Sequence, residues 1–142
     1  MASENEKRRI QSMTLEELDP TALYDASVDD SDTHLIQRAN SLLKKPLCLY
    51  SPGDLRLMIL QGISLDFLIP VAIDILREAP LSEGEYYPGD VLHAVLCAPT
   101  SYWRLHGSEK EDITRILDSL SAVPPELSEA VRLFRMQRTR EP

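Results

Sequence analysis

The stretch "LDFLIPVAIDILRE", Leu65 to Glu78, decides the fold class. Leu65, Leu68, Ile69, Ala72, Ile73 and Leu76 recur at steps of three and four, the spacing of one helix face. Val71 and Ile75 widen that face, which predicts a central helix with neighbours on several sides. Pro70 lies about a turn in. It has no N–H to give, so a bend or a lost hydrogen bond is expected there. Gly62 ends the segment before it, and Pro80 ends this one.

Working outward, "SDTHLIQRANSLLKK" (Ser31 to Lys45) places Leu35, Ile36, Ala39, Leu42 and Leu43 on one helical face. Lys44 and Lys45 suit its C-terminal dipole, and Pro46 stops it. "SPGDLRLMILQG" follows, with Leu55, Met58 and Ile59 inward. Downstream come "GDVLHAVLC", a short "TSYWRLH" after Pro99, and "EKEDITRILDSL" with Ile113, Ile116, Leu117 and Leu120 on one side. The last helix, "ELSEAVRLFRMQR", turns Leu127, Val131 and Phe134 inward and keeps a basic outer face. Near the start, Thr14 and Glu17 have the spacing of a capping box, enough for a single turn over "TLEELD". No segment alternates apolar and polar residues as a strand does. The prediction is an all-α domain of about seven helices joined by short loops, with antiparallel neighbours. Residues 1–13 read as a disordered polar N-terminus, 14–136 as the domain and 137–142 as a frayed C-terminus.

One pattern occurs twice. "YSPGDL" covers Tyr50 to Leu55, and "YYPGDV" covers Tyr86 to Val91, 36 positions later. Both read as helix starts, since proline suits the first helical position and an aspartate in the first turn meets the dipole. They are either a repeat or two convergent helix starts. A third copy would fall at "PPEL", Pro124 to Leu127, but Pro99 and Gly107 cut the second unit differently from the first.

The formal net charge is −8, and its distribution is uneven. Thr14 to Val131 holds 20 acids against 8 bases, a balance of −12, while both ends are basic. An acidic body argues against nucleic acid, whose phosphates need neutralising, and favours a basic partner. No apolar run spans a membrane, and no apolar signal core follows the first charges. A cytoplasmic protein is therefore expected. Cys48 and Cys97, in apolar surroundings, read as buried, reduced thiols.

No catalytic constellation is visible. His93 and Cys97 have metal-ligand spacing on one helix, but a zinc site needs two more ligands. "DASVDDSDTHLI" lacks the glycine and terminal glutamate of a calcium loop. The expectation is a protein that is not an enzyme, with no cofactor and no metal. Two stretches stand out instead as candidate partner-binding surface. Thr14 to Asp32 carries seven carboxylates and no base, among them Asp29, Asp30 and Asp32. "SEGEYYPGD" gathers Glu83, Glu85, Tyr86, Tyr87 and Asp90, and no lysine or arginine occurs from Glu78 to Trp103. Tyrosine serves interfaces because it joins contact area to a polar tip.

The segments "KKPL", "DLRLMILQG", "LIPVAIDIL" and "EGEYYPGDVL", in that order, resemble the immunity proteins of bacterial contact-dependent growth inhibition (CDI) systems. The likeness runs from about Thr14 to about His106, and the helices after Gly107 depart from short members. It implies a protein that binds the toxic C-terminal domain of a cognate delivery protein and neutralises it in the producing cell, without turnover. A basic nuclease is one toxin such an acidic surface would suit. The alternative, from the charge alone, is a helical adaptor that binds a basic segment of another protein.

Overall fold

The computed structural model describes residues 4–20 and 33–137. These form nine α-helices, and no strand occurs among the described residues, so the chain is all-α. The order is α1 (Glu4–Gln11), α2 (Leu15–Leu18), α3 (Thr33–Leu43), α4 (Pro52–Leu60), α5 (Leu65–Glu78), α6 (Asp90–Leu96), α7 (Thr100–Leu105), α8 (Gly107–Asp118) and α9 (Ser128–Met136). Short 3₁₀ turns at Leu47–Leu49 and Pro125–Leu127 lead into α4 and α9.

The helix α5 is central, packing against α4, α6 and α8. Its Leu68, Ile69, Ala72, Ile73 and Leu76 are buried, while Leu65, Val71 and Ile75 are partly covered. Each buried Leu or Ile contributes about 1.5–3 kcal/mol by leaving water. The helix runs unbroken through Pro70, which leaves the Asp66 carbonyl without its usual i+4 donor. The helix α9 lies on α6, where Leu127 closes over Gly89 and Phe134 meets Trp103 edge to face at 5.2 Å.

The two helices beyond the expected seven are α1 and the single turn α2. The turn has the full capping box: Thr14 Oγ1 accepts from Glu17 N–H, and the Glu17 carboxylate accepts from Thr14 N–H. The segment read as disordered instead forms α1 from Glu4. Acids in its first turn and arginines in its last suit the dipole. Ile10 packs on the core, and Lys7 pairs with Asp74 of α5 at 3.4 Å. An apolar contact and an ion pair together hold this polar stretch against the core.

The cysteines are free, as expected, but both are exposed where burial was expected. Cys48 is the middle residue of a 3₁₀ turn whose Leu47 takes the buried position. Cys97 caps α6 just beyond its buried face.

Candidate functional site

The two Tyr-x-Pro-Gly-Asp stretches meet in space, because α4 packs more closely on α6 than on any other helix. They are not equivalent. In the first, Ser51 is the N-cap, Pro52 is the first helical residue, and Asp54 closes a capping box by accepting from Ser51 N–H at 3.0 Å. In the second, the helix starts later. Gly89 is the N-cap with φ +92°, a conformation open to glycine, and Asp90 is the first helical residue. Tyr50 is buried and donates its hydroxyl to the Leu42 carbonyl at 2.6 Å. Tyr86 remains 66% exposed. Shared letters in different helical registers fit convergent helix starts.

Both aspartates are buried and ionised, by different means. Asp54 accepts from Lys45 Nζ at 2.8 Å and Arg38 Nη2 at 3.3 Å as well as from Ser51. Burial alone would raise its pKa; the hydrogen bonds from Lys45, Ser51 and Arg38 outweigh that and hold it below the ordinary value. Asp90 turns back over the preceding loop. It accepts three successive backbone N–H groups, from Gly84, from Glu85 at 2.9 Å and from Tyr86 at 2.9 Å. Here too burial pushes the pKa up and the backbone donors bring it lower than usual.

The loop lies directly on the first turn of α4. A Cβ on Gly84 would come within 3.2 Å of the Gly53 Cα and 3.0 Å of the Asp90 carboxylate. A Cβ on Gly53 would meet Glu85 Cγ at 2.6 Å. Glu85 reaches across to Arg38 at 2.9 Å, so one guanidinium joins Asp54 and Glu85. The Arg56 guanidinium lies 4.3 Å from the Tyr86 ring centroid, with its Nε 3.7 Å from Asp90. An isolated bridge between Glu83 and Pro88 closes the turn.

These contacts change the meaning of the base-free stretch. Arg38 from α3 and Arg56 from α4 supply the cations that the local sequence lacks. Asp90, only 1% exposed, presents no carboxylate to solvent, and Glu85 is engaged with Arg38. Tyr87 is half-buried and bonds its hydroxyl to His93 Nδ1. Glu83, Glu85 and Tyr86 are the exposed members among the candidate residues, Glu85 with its carboxylate paired to Arg38. Asp29, Asp30 and Asp32 lie outside the described residues. Arg38, Lys45 and Arg56 escaped the sequence reading, since nothing in their local spacing marks them as partners of residues up to 47 positions away.

Residues 11–113 match the family of CDI immunity proteins. The chain belongs to that family. The match spans α2 to α7 and the first part of α8, with both Tyr-x-Pro-Gly-Asp stretches inside it and α9 outside. No curated protein and no solved structure gives a significant match.

Elsewhere in this CDI immunity protein, polar groups are turned on one another. A cleft of about 500 Å³ is lined in part by Pro70, Ile73 and Asp74 of α5 and by Asp112 and Arg115 of α8. Arg77 crosses it, paired with Asp74 and Asp112 at 3.0 Å each. His93 and Cys97 gain no further ligand: among the described residues, no three acidic, histidine or cysteine side chains gather as a metal site. The Cys97 thiol, exposed at its edge but desolvated by its neighbours, is shifted upward, away from the reactive thiolate. No helix among the described residues is long and apolar enough to cross a membrane.

Proposed function

We propose that this CDI immunity protein protects the cell that makes it by binding the C-terminal toxin domain of its cognate delivery protein and holding it inactive. The observation that carries the reading is family membership over residues 11–113. The inhibition is stoichiometric, a complex and not a reaction. It takes place in the cytoplasm, where the toxin would act.

The contact surface we assign is the outward side of the 82–88 loop, with Tyr86 as its aromatic anchor and Glu83 and Glu85 beside it. The acidic stretch at Asp29, Asp30 and Asp32 is a second contact candidate, on its charge alone. Interfaces draw much of their affinity from a few aromatic and arginine side chains, while charges of one sign steer encounter. A toxin with a basic cleft, such as a nuclease, is the partner this charge suits: carboxylates would occupy the place of phosphate. Co-expression tests the reading. A cognate toxin domain should kill when expressed alone and spare cells that also make the immunity protein, and the two should co-purify. Death in the presence of abundant folded immunity protein would sink it.

A further inference from the structure

We infer that Asp90 is a positioning residue for partner binding: from inside the fold it fixes the 84–86 loop and, through Arg56, the pose of Tyr86. This rests on the reading that the loop meets the toxin.

Three consecutive amides, those of Gly84, Glu85 and Tyr86, converge on one carboxylate. A backbone held at three successive residues has few conformations left. The close Gly53–Gly84 approach then brings the loop backbone onto the backbone of α4's first turn, so the loop rests on a helical turn. The same carboxylate lies 3.7 Å from Arg56 Nε, and the Arg56 guanidinium lies 4.3 Å from the Tyr86 ring centroid. Asp90, Arg56 and Tyr86 thus form a stack from buried anion to exposed ring. A large aromatic side chain left 66% exposed is costly to order at the moment of binding. Here the order is built before the partner arrives. The partner such a surface fits offers an apolar pocket for the Tyr86 ring and a cation opposite Glu83.

A capping role alone would not need three loop amides, but a purely structural role for Asp90 must be separated experimentally. The variants are Asp90→Asn, which keeps the shape, Tyr86→Ala, and the pair combined, with Ile73→Val as a stability control. Affinity for the purified toxin domain is measured alongside thermal unfolding and amide exchange. Tyr86→Ala should weaken binding about tenfold or more. Asp90→Asn should weaken it several-fold and speed exchange at residues 84–86. In the Tyr86→Ala background it should add almost nothing, because it acts through that ring. Ile73→Val should lower the melting temperature and leave affinity unchanged. Wild-type-like affinity for Asp90→Asn, or effects that simply multiply in the double variant, overturns the inference and leaves the immunity reading standing. If Asp90→Asn fails to fold, Arg56→Gln with Tyr86→Ala gives the same cycle, and multiplying effects again overturn it. No binding by the wild-type protein overturns the immunity reading itself.

Discussion

Replacing Asp54 with asparagine removes one negative charge from the junction of α3, α4 and the 82–88 loop, and its cost can be worked from the contacts. The residue is 7% exposed, and three donors point at it. The box contribution is on the low side, about 0.5–1 kcal/mol, because the Ser51 hydroxyl still caps. Arg38 and Lys45 are each more than a third exposed, so solvent screens them and their charge-assisted bonds together contribute about 1–2 kcal/mol. The expected loss is about 1.5–3 kcal/mol at neutral pH, measured by urea unfolding. The pH dependence fixes the sign. The folded-state pKa of Asp54 is held below its unfolded value. The stabilisation is therefore complete above the ordinary carboxyl value of about 3.9 and is lost as pH falls through the lower folded value. The gap between wild type and Asp54→Asn should be widest near neutrality and should close in acid. A loss under ~0.5 kcal/mol at pH 7, or a gap that persists unchanged at pH 2, would refute the reasoning.

Other outcomes follow from the same contacts. Gly84→Ala should destabilise by about 1–3 kcal/mol, since the added methyl meets the Gly53 backbone and a tethered carboxylate; unfolding indistinguishable from wild type would mean the loop does not lie on α4 as described. Ile73→Ala should cost about 2–5 kcal/mol by opening a cavity under the central helix, and a loss below ~0.5 kcal/mol would place that face wrongly. Changing Asp29, Asp30 and Asp32 together to lysine should leave the melting temperature close to wild type and weaken toxin binding most at low salt, where screening is least. Unchanged affinity in a folded variant would remove that stretch from the contact surface.

Much of the fold is legible because it is written locally. The spacing of Leu68, Ile69, Ile73 and Leu76 marks the inner face of α5, and all four are buried. Ser51 and Pro52 announce α4, and Thr14 with Glu17 announces α2, because caps are chemistry between residues three apart. The environment of the 82–88 loop is not local. Its charge balance depends on Arg38 and Arg56, brought in by packing α3 and α4 against it. A run of letters without a base therefore looked like an open acidic face, while Asp90 within it points inward. Tyr50 and Tyr86 show the same limit, since the same position in two similar stretches is buried once and exposed once. Helix α1 was missed because its docking rests on Ile10 and on Lys7 meeting Asp74, a contact between distant positions.

The most direct test of the central claim is a calorimetric titration of the purified toxin domain with this immunity protein. The account predicts saturable binding with an inflection at one immunity protein per toxin domain, and toxin activity that falls in proportion and ends there. Absence of binding at micromolar concentrations with both partners folded, or complete loss of toxin activity at a small fraction of one equivalent, would contradict it.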